Sequence, residues 1–153
     1  MPVKKLKEFL DQEKIKYVNI IHSTAYTAQE VAASAHITGK ELAKTVIVKL
    51  DGQMAMAVLP ANRKIVLQDL REVTGSEQVR FASEEEFQAR FPGCETGAMP
   101  PFGNLYGMEV LVAESLTDND VIAFNAGSHT EVIKLAFKDF MRLVKPKTVS
   151  FTT

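Results

Sequence analysis

One stretch in the middle of this chain constrains its fold more than any other. Thr45-Val46-Ile47-Val48-Lys49-Leu50 is a run of strand-forming residues, Asp51-Gly52 follows, and Gln53 to Leu59 is a second run. An Asp-Gly pair adopts the two positive φ angles of a type I′ turn at little cost, and the twist of that turn matches two antiparallel strands. The spacing therefore predicts a β-hairpin over residues 45–59. Alternation sends Met54, Met56 and Val58 to one face and Ala55, Ala57 and Leu59 to the other. The alanines leave room for another element, or a ligand, to come close.

The flanking sequence fills in around the hairpin. Val3, Leu6, Phe9 and Leu10 recur at helical spacing, which predicts a helix over 3–14. Residues 17–21 are β-branched and aromatic and read as a strand. Thr27 with Glu30, and Ser83 with Glu86, have capping-box spacing, opening helices at about 28–36 and 84–90. Residues 65–73 read as a helix before Gly75, and 79–82, 108–113, 121–125 and 131–137 as strands. A short helix over 138–144 precedes a polar tail from about 146. Residues 92–104, PGCETGAMPPFGN, are too rich in Gly and Pro for a regular element. Helices and hairpins without regular βαβ alternation indicate an α/β chain of mixed α+β type. No repeat or linker divides residues 1–153, so one domain is expected.

Composition narrows the function. At 153 residues, 46% hydrophobic and 24% charged, the chain can bury one core. No apolar run reaches the roughly 20 residues of a membrane span. A single Cys and the absence of a leader-like start suit a cytoplasmic protein. A net charge of −1 argues against tight unaided binding to DNA or RNA, but leaves room for a brief grip on one RNA end. Lys4, Lys5, Lys7, Lys138, Arg142, Lys145 and Lys147 cluster near the two termini and read as solvated helix faces. His22, His36, His129 and Cys94 lack metal-ligand spacing. No nucleotide-binding loop or serine-nucleophile elbow is present. An enzyme built from these residues would use neither a metal nor a classical catalytic triad, and no cofactor is expected.

Three segments could carry chemistry. Lys44 stands just before the first hairpin strand, where an ammonium at a pocket mouth could hold a carbonyl or phosphate oxygen, with the Thr45 hydroxyl beside it. Gly97-Ala98-Met99-Pro100-Pro101-Phe102-Gly103 combines prolines that stiffen the backbone with glycines that let it bend, which suits a wall that measures a small side chain. In Asn125-Ala126-Gly127-Ser128-His129, Gly127 and Ser128 could offer backbone donors to a substrate, with His129 at the rim. Each segment also has an ordinary reading: a solvated lysine, a connector and a hairpin turn.

In this order and spacing the three segments resemble the YbaK/ProX-type aminoacyl-tRNA deacylases, the prolyl-tRNA synthetase insertion-domain superfamily, over about residues 3–145. Lys44 in LAKTVIV matches that family's catalytic lysine, Gly97 to Pro101 its G-x-x-x-P loop, and Gly127-Ser128 the turn lining the aminoacyl pocket. The resemblance implies a curved, partly barrel-like mixed sheet with helices outside. It implies metal-independent hydrolysis of the ester that joins an amino acid to the terminal adenosine of a tRNA. Lys44 would stabilise the transition state, and the loop would select the amino acid by size. With no synthetase attached the domain would act in trans, alone or with prolyl-tRNA synthetase or another synthetase as partner. The competing reading keeps the fold but not the activity: a module that binds an amino acid or docks on a synthetase.

Overall fold

The computed structural model describes residues 2–23, 25 and 28–153, with Pro2, Val3, Ala28, Gln29 and Ser34 entering through their backbone alone. The hairpin forms as expected and organises the rest. Strands β2 (Leu42–Leu50) and β3 (Gln53–Pro60) pair antiparallel, Leu50 opposite Gln53. Asp51 and Gly52 take φ of 49° and 85°, the left-handed pair that a type I′ turn requires. The Asp51 carboxylate also accepts the backbone N–H groups of Glu77 and Gln78, tying the turn to the segment beyond.

Around this pair an eight-stranded mixed sheet is built, curled but not closed. The other strands are β1 (Tyr17–Ile21), β4 (Val79–Phe81), β5 (Glu109–Ala113), β6 (Val121–Asn125), β7 (Glu131–Ala136) and β8 (Lys147–Val149). Their order is β1-β7-β6-β2-β3-β5-β8, with β4 added against β2. Helices α1 (Pro2–Gln12), α2 (Ala28–Ala35), α3 (Leu67–Thr74), α4 (Glu84–Phe87) and α5 (Phe137–Val144) lie around the sheet. The capping box at Ser83 is made on both sides, Ser83 Oγ accepting from the Glu86 N–H and the Glu86 carboxylate from the Ser83 N–H. Thr27, the other capping-box residue, lies outside the described residues.

Both faces of β3 are buried, as its alternation allows. Met56 and Val58 join Leu6, Leu10, Phe102, Phe124 and Phe140 in the larger core. Ala55, Ala57 and Leu59 face Val48, Leu70, Leu111 and Phe151 on the opposite side. A third cluster, Val31, Ala32, Leu42, Ala61, Ala123 and Val132, gathers under α2 on that same opposite side.

Among the boundaries that differ from the sequence reading, three change how the chain packs. The polar tail from 146 is part of the sheet: β8 runs parallel to β5, Leu111 opposite Lys147, and Phe151 beyond it is fully buried. Helix α3 begins at Leu67 rather than 65 because Val66 donates to the Phe151 carbonyl and Ile65 bridges Thr152. The Gly- and Pro-rich loop ends in one 3-10 turn, Gly103–Leu105. A Cβ on Gly103 would strike the Met108 carbonyl oxygen and Val110 Cγ2, and backbone cannot yield cheaply. Gly103→Ala is therefore expected to cost about 1–3 kcal/mol in chemical denaturation.

Candidate functional site

The site begins where the sheet divides. At its start β2 pairs with β6, Leu42 opposite Ala123 and Ala43 opposite Phe124. From Val48 the same edge pairs with β4 instead, Val48 opposite Phe81. Residues 44–47 lie in the fork between the two partners. Hydrogen-bonding groups of successive strand residues point to alternate edges. Glu41 and Ile47 both use their carbonyls toward the fork edge, accepting from Ala123 and Ala82. The N–H of Thr45 points the same way, and neither ladder reaches it.

Lys44 therefore stands within β2, two residues inside the strand, not before it. Its face follows from its neighbours: Leu42 and Ala123 belong to the α2 cluster, while Val46 and Leu59 pack in the cluster of α3 and Phe151. Lys44 occupies the gap between those two apolar clusters and is half-buried. Among the described residues its ammonium has no hydrogen bond and no carboxylate partner. Burial lowers its pKa from the ordinary lysine value, and the nearby Lys64 ammonium lowers it further. An ammonium held this way is desolvated, flanked by a second cation and unpaired, and it favours an incoming anion or a carbonyl oxygen that is gaining charge.

Beside Lys44 the chain leaves β6 through the Asn125–His129 turn. One residue beyond the last registered pair, Ala43–Phe124, Asn125 falls level with Lys44 and on its face. The turn is locked to the Gly- and Pro-rich loop by four hydrogen bonds. Glu95 N–H donates to the Gly127 carbonyl (2.9 Å), Gly127 N–H to the Ala98 carbonyl (2.9 Å), and His129 N–H to Glu95 Oε2 (2.8 Å). His129 Nε2 donates to the Thr96 carbonyl (2.8 Å), which fixes the proton on that nitrogen. The turn thus bridges the other two segments, rooted beside Lys44 and latched to the loop.

Individual residues differ from expectation in where they sit. His129 is 6% exposed, so it is a buried latch on the loop rather than a group at the rim. Ser128 Oγ lies 3.3 Å from Thr130 Oγ1 and accepts from the Thr130 N–H, bracing the turn. Met99 and Phe102 point into the larger core, Phe102 with its ring 5.4 Å from that of Phe124 and 5.8 Å from that of Phe140. Ala98, Pro100 and Pro101 are buried as well, which leaves Gly97 as the exposed end of the motif. Cys94 lies 3.8 Å from the Tyr106 hydroxyl, and burial pushes its thiol up, away from the thiolate a nucleophile needs. Among the described residues no group of three His, Cys, Asp or Glu is placed to hold a metal ion. No described helix is long and apolar enough to cross a membrane.

Several buried acceptors are not evident from the sequence, two of them at this end of the sheet. Asn125 Oδ1 and His22 Nε2 have no hydrogen-bond partner among the described residues. From sequence, His22 offers only a possible metal ligand and Asn125 only the first residue of a turn. What distinguishes Asn125 is its register beside Lys44, which no local pattern reveals. Of the terminal basic residues, Lys4, Lys7, Arg142 and Lys147 each meet a carboxylate at 3.0–4.0 Å, and Lys5 donates to the Leu105 carbonyl.

Known proteins give this arrangement its class. The model of the aminoacyl-tRNA editing domain matches residues 22–143, and the chain belongs to that family. The prolyl-tRNA editing protein ProX of Acetoanaerobium sticklandii is 26% identical over 148 residues, 93% of this chain and 90% of ProX. A proline–tRNA ligase of Nitratidesulfovibrio vulgaris is 26% identical over 115 residues, 72% of this chain but 20% of the ligase. A solved structure described as a candidate trans-editing enzyme for prolyl tRNA synthetase superposes with a TM-score of 0.84 at 17% identity, covering 99% of this chain and 97% of that one. The hypothetical protein APE2540 superposes with a TM-score of 0.82 at 18% identity, covering 97% and 99%. At these identities the two structures establish the shared fold.

Proposed function

We propose that this protein is a trans-acting deacylase, hydrolysing the ester that links a wrong amino acid to the end of a tRNA. The observation that carries the reading is the half-buried Lys44 ammonium, without an anionic partner among the described residues, at the fork of the sheet. Water attack on the ester carbonyl builds an oxyanion, and collapse of that intermediate returns the ribose oxygen as the leaving group. Lys44 and the Thr45 N–H are the donors we assign to the oxyanion. Donors fixed before the reaction stabilise the transition state without reorganising during it. The chemistry asks for no metal. Gly97, the exposed end of the motif, held by the Gly127 and His129 latch, sets the wall against which the amino acid is measured. One methylene in such a pocket discriminates by only about 1–3 kcal/mol, which is why a separate editing site is useful. The relatives favour the tRNA of proline as carrier and prolyl-tRNA synthetase as partner.

A deacylation panel tests this. Purified protein would meet tRNAs charged with Cys, Ala, Ser, Thr and Pro, with the corresponding free amino-acid esters alongside. Rapid release from one or two mischarged tRNAs, with the free esters spared, is the expected result. Release from none, even with prolyl-tRNA synthetase added, would leave a binding module of the same fold.

A further inference from the structure

Burying an acceptor without a donor costs free energy, so a fold that keeps one has a use for it or a hidden partner. Asn125 Oδ1 is such an acceptor, and its place beside Lys44 follows from the ladder of β2 and β6. Lys44 donates no hydrogen bond to it in the structure, so the acceptor is left for a donor from elsewhere. Resting on the deacylase reading, we propose that Asn125 is a substrate-binding residue whose Oδ1 accepts a hydrogen bond from the free ribose hydroxyl next to the scissile ester. The substrate offers two kinds of donor near that bond, the hydroxyl and the α-ammonium of the amino acid. With Lys44 adjacent and Lys64 close by, a third positive charge is repelled, whereas a neutral hydroxyl is not. The hydroxyl is vicinal to the ester oxygen, and Asn125 and Lys44 are the next residues on their strands after the pair Ala43–Phe124. Asn19 Oδ1 and His22 Nε2, two further buried atoms without a partner among the described residues, lie on or just after the far strand β1, with β7 and β6 between them and Lys44.

The test separates this assignment from the deacylase reading by measuring binding alone. The probe is an acceptor-stem minihelix whose terminal adenosine carries alanine through a 3′-amide, made with and without the 2′-hydroxyl. Alanine is smaller than Cys, Ser or Thr and enters any pocket built for them. The wild type should lose about tenfold in affinity when the hydroxyl is removed, the value of one good hydrogen bond to a buried group. Asn125→Ala should bind the hydroxyl-bearing probe about tenfold more weakly, and should bind the two probes equally. Its melting temperature should hold or rise, because the side chain makes no hydrogen bond among the described residues that alanine would remove. A tenfold preference for the hydroxyl that survives in Asn125→Ala overturns the assignment, as does a wild type indifferent to the hydroxyl. A folded wild type that binds neither probe overturns the deacylase reading and this inference with it.

Discussion

Lys44→Ala should lower the single-turnover rate of ester hydrolysis by about 10²–10³-fold, the range seen when one preorganised oxyanion donor is removed. The same substitution should leave the fold intact, because the ammonium holds no described partner. Lys44→Met makes the sharper version. It keeps the apolar stem between the two clusters and removes a desolvated charge, so its melting temperature should match or exceed that of the wild type while hydrolysis is lost. The sign follows from the lowered pKa: the folded state binds the proton less well than the unfolded chain, so the charged form weakens folding below the folded pKa. That penalty is relieved as the pH rises through it, and Lys44→Met should flatten this part of the stability profile. A Lys44→Met variant that melts well below the wild type would mean that the ammonium has a structural role.

Phe102→Ala should be the most damaging change to stability among the loop residues. Phe102 is fully buried and contacts the rings of Phe9, Phe124 and Phe140. Truncating such a side chain costs about 3–5 kcal/mol, and for a chain of this size each kcal/mol lowers the melting temperature by about 2–4 °C. A fall of roughly 6–20 °C is expected by calorimetry. Phe102→Leu, which refills most of the space, should recover most of the loss and keep the order of preference among charged tRNAs. If Phe102→Leu instead changed which amino acid is released while the melting temperature held, Phe102 would be a pocket residue after all.

What could be read from the sequence was what local chemistry decides. The hairpin, the strand over 17–21, the strand over 121–125 and the Ser83 cap each rest on residues within a few positions of one another, and each formed. Residues 147–149 carry no such signal: Lys-Thr-Val becomes a strand only because the edge of β5 is free to pair with it. Phe102 looked like part of a wall because a loop rich in Pro and Gly is usually at the surface, whereas here the loop turns its aromatic ring into the core. The lysine and the two motifs of the site were legible as residue types, but the environment of Lys44 was not. It depends on where β6 leaves β2 and β4 joins it, and those strands lie about 80 and 35 residues downstream. Asn125 was hidden for the same reason.

The central claim is that Lys44 is an unpaired, desolvated cation that receives the substrate's oxygen. NMR titration of lysine side chains, with the Lys44 signal identified by its absence in Lys44→Met, measures that directly. The signal should titrate below the other lysines in the free protein, and it should shift when the minihelix with the 3′-amide and 2′-hydroxyl is added. A Lys44 signal that titrates with the solvated lysines and stays unmoved by saturating probe would contradict the account.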